Sequence, residues 1–318
     1  MRAWVWAARA AALALAALTT ACLGSAPTAP LAAAPVKQIA LTFDDAPLPD
    51  GPFLTGEQRA QHIIADLREA HVQTIFFANP GRTAPDRDTR LHAYAAAGHI
   101  IGNHTWDHPN LQNLSADDYI ANITRADAYL RTVPGFQPIF RYPFLSEGDT
   151  VAKRDAVRAA LVRMGYSQGY VTADSYDWRL DELARDAKAA NAHFNMDALR
   201  DLYVQTAVTG ADYADRMSRA TLGRSAKQVM LMHENDIEAL YLPDLIRALR
   251  RDGWTIISPT EAYADPIASE LPDTLDLSSG RIAALMHAHH QEALFTEQRA
   301  SYGDLDEPFS ARVVNHAR

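Results

Sequence analysis

The sequence predicts an α/β protein folded as a (β/α) barrel, distorted or incompletely closed, with its chemistry at the carboxyl ends of the strands. Three observations predict this. Short apolar runs of strand type alternate with longer runs of helical period. The strand-type runs keep ending in Asp, Asn, His or Arg, the place where parallel barrels carry their sites. Of 318 residues, 48% are hydrophobic and 22% charged, enough for one large core and too apolar for general disorder.

The alternation runs in order along the chain. A strand is expected over Gln38–Phe43, then a helix over Thr55–Ala70 with Ile63, Ile64 and Leu67 on one face. A strand over Thr74–Ala78 precedes a helix over Asp88–Ala97, stopped by Gly98. The next strand, His99–Gly102, leads into a polar stretch with two histidines. Helices over Ala116–Arg131 and Lys153–Met164 flank a strand at Ile139–Arg141, and a further strand is expected at Gly169–Ala173. An alanine-rich, charged, helical stretch from Asp181 to Gly223 breaks the rhythm and reads as an insertion on one side of the barrel. Strand Gln228–Met232, helix Leu242–Arg251 and strand Thr255–Ser258 complete the alternation. The resulting division is a catalytic domain over 37–265 with an insertion at about 181–223, and a polar, less periodic extension over 266–318 that is appended or partly disordered.

The first 22 residues have a different character. Arginines stand only at the start of an Ala/Leu-rich run that ends before Cys22, the pattern of a secretory signal. The apolar run between Arg9 and Cys22 is shorter than the roughly 20 residues a bilayer span needs. Cys22 follows Leu18, Thr19, Thr20 and Ala21, which resembles a bacterial lipobox with Thr19 in place of the usual leucine. The expectation is a lipoprotein-type signal over 1–22, a lipid anchor at Cys22 that places the protein in the periplasm or envelope, and an Ala/Pro-rich tether over 23–36. An ordinary signal followed by an unused thiol is the competing reading. Cys22 is the sole cysteine, so no intrachain disulfide forms. A net charge of -9 and pI near 5.7 leave no basic footprint, which argues against nucleic acid as a partner.

Five strand-end segments hold the candidate chemistry. Leu41-Thr42-Phe43-Asp44-Asp45 puts two carboxylates past a buried strand; alone they read equally well as a turn and helix cap, or as a metal ligand beside a base. His104 and His108, four residues apart, would point the same way on a helical turn and suit one metal ion. Arg141-Tyr142-Pro143-Phe144, Asp174-Ser175-Tyr176-Asp177-Trp178 and Leu231-Met232-His233 follow later strands. Each of these three is weak evidence alone, since a surface ion pair, a core tryptophan or a structural histidine accounts for it. Asp45, His104 and His108 together make an open site with room for water and a substrate oxygen. His287, His289 and His290 in the tail read as a solvated helix face.

Taken jointly and in this order, the five segments resemble the five motifs of the NodB-type polysaccharide deacetylases, carbohydrate esterase family four. The resemblance spans about residues 38–260. It implies that Asp44 is the general base and that Asp45, His104 and His108 hold one divalent metal, zinc in first place, with cobalt, nickel or manganese as alternatives. It further implies that Arg141 orients the base, that His233 is the general acid, and that Asp177, or less favourably Asp174, tunes His233. The Tyr142 backbone N–H would stabilise the oxyanion, while Trp178 and Leu231 would line a slot for the acetyl methyl group. One departure from the pattern is Ala46, where the family usually has glycine.

The activity this implies is metal-dependent hydrolysis of N-acetyl groups from an envelope or extracellular glycan, with release of acetate. Removal of O-acetyl groups by the same site is an alternative, and so is a lipid-anchored glycan-binding protein without activity. The retained reactive residues in all five segments argue against the last.

Overall fold

The computed structural model describes residues 36–82, 84–275, 280–291 and 304–315. Eight of its strands are parallel and form one sheet: β1 (Lys37–Ala46), β2 (Ile75–Ala78), β3 (Ile100–Asn103), β4 (Phe136–Phe140), β5 (Ser167–Gln168), β6 (Ala173–Asp174), β8 (Gln228–His233) and β9 (Trp254–Ile256). A separate antiparallel pair joins β7 (His193–Phe194) to β10 (Val314–Asn315). The helices are α1 (Gly56–Glu69), α2 (Arg87–Ala96), α3 (Ala116–Leu130), α4 (Val151–Arg163), α5 (Asp177–Ala189), α6 (Met196–Leu222), α7 (Asp236–Arg251), α8 (Pro259–Ala262), α9 (Arg281–Ala288) and α10 (Asp306–Arg312).

The main sheet runs β5-β4-β3-β2-β1-β8-β6, with β9 paired to the start of β1. It is strongly curled and open, a half-barrel with flanking helices, as the alternation and length predicted. β1 lies at its centre, and Ile39 through Phe43 are fully buried. That is why this strand reads as an unbroken apolar run with no alternation. On one face Ile39, Leu41 and Phe43 pack with Ile63 and Leu67 of α1 and Leu245 and Leu249 of α7. On the other, Ala40 packs with Val229, Ile257, Ile282 and Leu285.

Helix starts follow their caps. Thr55 and Gln58 form a reciprocal capping box at α1, and the Ser115, Thr150 and Asn195 side chains cap α3, α4 and α6. Asn235 caps α7, which therefore begins six residues before the expected Leu242 and runs through Pro243.

The expected strand over Gly169–Ala173 does not form. The chain instead touches the sheet twice, pairing with β4 at Ser167–Gln168 and with β8 at Ala173–Asp174, the opposite edge. Residues 169–172 cross between these edges. Gly169 suits the crossing because a Cβ there would meet the Phe77 ring at 2.4 Å. Short apolar runs do not distinguish a strand from a buried crossing.

The 181–223 region holds most of α5 and all of β7 and α6; Leu199, Leu202 and Tyr203 of α6 join the core that contains α7. In the tail, Ile282 and Leu285 of α9 are buried, as are Leu305, Phe309 and Val313 around α10, and the Asn195 N–H donates to Val313 O. These parts of the tail are packed against the core. The signal segment, Cys22 and the tether apart from Val36 lie outside the described residues. No described helix is long and apolar enough to cross a membrane.

Candidate active site

Strand register assembles the site. Asp44 of β1 stands opposite His233 of β8, and Asp174 of β6 stands opposite Leu231. His104 follows the end of β3, and Arg141 follows the end of β4. A cleft of about 460 Å³ opens there, lined by Asp44, Asp45, His104, His108, Asp174 and His233 together with Arg82, Phe144, Leu145, Trp178 and Leu231.

Asp45, His104 and His108 converge so that one ligand atom from each lies within 4.8 Å of the others. Asp45 Oδ1 is 3.3 Å from His108 Nε2 and 3.7 Å from His104 Nε2. The convergence does not come from a helical turn. Residues 104–110 are irregular, with Thr105 and His108 at φ 69° and 60°. Side-chain contacts hold this left-handed path: the Thr105 N–H donates to Asn103 Oδ1 (2.8 Å), and the His108 N–H donates to Thr105 Oγ1 (3.0 Å). Asn79 Nδ2 donates to the carbonyls of His104 and Thr105. Asp45 itself has φ 66°, whereas Ala46 is not among the positive-φ residues, so its side chain carries no backbone penalty.

These residues fit a divalent cation. His104 Nδ1 donates to Arg141 O at 2.8 Å, which leaves the Nε2 lone pair facing Asp45. Burial drives the His104 pKa well below 6.5 and lowers that of His108, so both rings are neutral as ligation requires. Burial opposes ionisation of Asp45, yet His108, Arg82 and His104 facing it hold its carboxyl at about 2. Its buried Oδ1 has no hydrogen-bond partner, an orphan acceptor of the kind a cation satisfies.

Asp44 lies beside this triad, with Oδ2 3.5 Å from His104 Nε2. Arg141 donates through Nη1 to Asp44 Oδ1 (2.5 Å) and to Thr42 Oγ1 (2.9 Å). Its Nε donates to Gly169 O (2.7 Å) and its Nη2 to Tyr263 OH (2.9 Å), while the guanidinium lies over the Phe77 ring. Burial raises the Asp44 carboxyl to about 6 against the pull of Arg141. The carboxylate is thus poised to accept a proton near neutral pH.

On the other side, His233 Nδ1 donates to Asp177 Oδ1 at 3.0 Å. Fully buried Asp177 also accepts from the His233 N–H (2.7 Å), Asn235 Nδ2 (2.8 Å) and Ser175 Oγ (3.0 Å). Burial favours the neutral ring, but Asp177 overrides it and lifts the His233 pKa to about 10. Asp174 instead accepts the Tyr176 N–H at 2.8 Å, and burial raises its carboxyl to about 6. Of the two candidate acids, Asp177 is the one bonded to His233.

Leu231 and Trp178 both line the cleft. Tyr142 does not. Its ring stacks on Tyr119, meets Phe140 edge to face and borders a separate small cavity, and the wall beside His108 is made by Phe144 and Leu145, two left-handed residues further on. Arg82, Tyr263 and Asn79 support or face the site without having been singled out in the sequence, and Phe144 entered only as the last residue of the Arg141-Tyr142-Pro143-Phe144 segment. The turn residues Asn79-Pro80-Gly81 are the local signal that could have marked Asn79.

Residues 32–168 match the family model described as polysaccharide deacetylase. The chain is 33% identical over 151 residues to a chitin deacetylase of Colletotrichum lindemuthianum, covering 41% of this chain and 56% of that protein. It is 34% identical over 106 residues to a peptidoglycan-N-acetylglucosamine deacetylase of Bacillus cereus, covering 33% and 35%. The chain thus spans about half or less of the length of these relatives. The solved structure of the chitin deacetylase from C. lindemuthianum superposes with a TM-score of 0.51 at 20% identity, covering 73% of this chain and 89% of that one. Fold and strand-end residues define a parallel half-barrel with a site able to hold a metal. Over residues 32–168 the chain is similar to the polysaccharide deacetylases. The family match ends at residue 168, so Asp177 and His233 lie beyond it; His233 lines the cleft and Asp177 is bonded to it.

Proposed function

We propose that this protein hydrolyses N-acetyl groups on a carbohydrate and releases acetate. One observation carries the reading: the candidate metal-ligand triad shares one cleft with a carboxylate raised to about 6 and an imidazole raised to about 10. At neutral pH these two groups are respectively unprotonated and protonated, the states a base and an acid need. The names of the relatives, chitin and peptidoglycan-N-acetylglucosamine deacetylases, support an N-acetylated glycan as substrate.

Asp45, His104 and His108 would hold a divalent cation, zinc being our first choice, and when bound it would supply Lewis-acid chemistry to the acetamide carbonyl and to water. Asp44, steadied by Arg141, takes a proton as water adds to the carbonyl carbon. Developing negative charge on oxygen needs a donor; the Tyr142 backbone N–H is the one the motif implies, and the Phe144 N–H, in a residue that lines the cleft, is the alternative. His233, held by Asp177, gives its Nε2 proton to the amide nitrogen as the C–N bond breaks. Amine and acetate leave. Leu231 and Trp178 supply apolar surface for the acetyl methyl group. The signal pattern ending at Cys22 supports export and envelope attachment as part of this reading.

Acetate release from N-acetylated chitooligosaccharides tests the reading. Activity that vanishes with chelator, returns with added Zn²⁺ and is lost in Asp44→Asn is expected. Unchanged release in Asp44→Asn removes the assigned base, and turnover of acetylxylan alone moves the activity to oxygen esters.

A further inference from the structure

The cleft does not end at the triad. Arg82 lines both the cleft and an adjoining open groove bordered by Gly81, Ala84, Pro85, Arg87, Asp88 and Thr89. The charges of Arg87 and Asp88 are matched within the groove: Arg87 Nε donates to Asp88 Oδ1 (2.7 Å), which also accepts Tyr129 OH, and Arg87 Nη1 donates to Pro80 O (2.6 Å). Arg82 differs. Its Nη1 lies 3.2 Å from Asp45 Oδ2, and its side chain stays 28% exposed; among the described residues no other side chain pairs with it.

The Asp45 carboxylate is therefore divided. Oδ1 faces the two imidazoles, and Oδ2 faces the guanidinium. When a cation occupies the triad, a single carboxylate separates it from Arg82, and the guanidinium edge turned to solvent has no protein anion of its own. A planar, permanently charged fork at the rim of a binding cleft is suited to a carboxylate.

We propose that Arg82 is a specificity-determining residue that binds a carboxylate substituent of the substrate, so that the preferred glycan is an acidic N-acetylated sugar. The carboxylate belongs close to the acetamido group, because Arg82 adjoins the triad itself. The groove beyond Arg82 receives the next part of the chain. This rests on the deacetylase reading above.

N-acetylmuramic acid and N-acetylglucosamine form a matched pair of probes, since they differ by one carboxylate-bearing ether next to the acetamido carbon. Both equilibrium binding and acetate release are measured on one metal-assayed preparation. Wild type is expected to bind the acidic sugar about tenfold or more tightly and to turn it over in preference. Arg82→Gln lowers binding and turnover of the acidic sugar by a much larger factor than those of the neutral sugar and so removes the preference, and Arg82→Lys restores part of it. Equal wild-type affinity for the two sugars overturns the proposal, and so does an equal loss on both in Arg82→Gln, which would assign Arg82 to supporting Asp45. Absence of turnover on every N-acetylated sugar overturns the deacetylase reading, and the binding comparison still decides the role of Arg82.

Discussion

Asp177 holds His233 at two points, accepting the ring Nδ1–H at 3.0 Å and the backbone N–H at 2.7 Å. The ring is thereby fixed in orientation and tautomer, with Nε2 turned to the cleft, and its pKa is lifted to about 10. Asp177→Asn keeps the shape and removes the charge. A fall in kcat/KM of about 10²-fold or more is expected, with the alkaline limb moving to lower pH. In wild type, acetate release should rise as Asp44 ionises near 6 and fall as His233 loses its proton near 10. The same shift has a sign for stability. Because the folded pKa of His233 exceeds its ordinary 6.5, its contribution is fully present below about 6.5 and is lost as pH rises through about 10. Unfolding free energies across that window in wild type and His233→Gln check it; identical slopes contradict the linkage.

Arg141 is buried, and Asp44 depends on it for its charge partner. Arg141→Met leaves a buried carboxylate uncompensated and strips donors from Thr42, Gly169 and Tyr263. Breaking a buried pair in this way costs about 3–5 kcal/mol. Urea denaturation at pH 7 should show that loss, and the acid limb of acetate release should move above about 6. An unchanged acid limb would separate Arg141 from the base.

The loop after Asp45 is clamped from β8 and α7. Glu234 accepts the Leu48 N–H (2.6 Å), and Asp236 accepts the Phe53 and Leu54 N–H groups (2.7 and 3.0 Å) and Arg59. Gly51 passes so close that a Cβ would lie 2.3 Å from Asp236 Oδ2. Gly51→Ala is expected to cost about 1–3 kcal/mol by overpacking and to lower acetate release, since the displaced loop follows directly on Asp44 and Asp45 at the end of β1 and reaches them through that junction. Thermal melting and activity on the same sample test this, and a silent substitution would show that the loop gives way freely.

Much of this fold was legible because its signals are local. Caps and apolar periods fall where α1, α3 and α4 begin and bury their faces. The unbroken apolar run of β1 announces a strand buried on both faces. Two features misled. The four-residue spacing of His104 and His108 suggested a helical turn, whereas two left-handed residues bring the rings together. Gly169–Ala173 looked like a strand and is a crossing between sheet edges, a distinction that depends on which partners lie alongside and so carries no sequence period.

By itself the sequence determined the alternating α/β architecture and the residue types at five strand ends, since periodicity and capping act within a few residues. Tertiary structure decided which of those residues meet. Register set Asp44 opposite His233, the fold gave His233 to Asp177 and left Asp174 to the Tyr176 N–H, and the turn after β4 sent Tyr142 into the core and Phe144 into the cleft. Arg82 beside Asp45 and Tyr263 beneath Arg141 are pairings between residues remote in the chain. No local pattern encodes them, because strand register and loop path, set by packing across the whole half-barrel, bring those charges together.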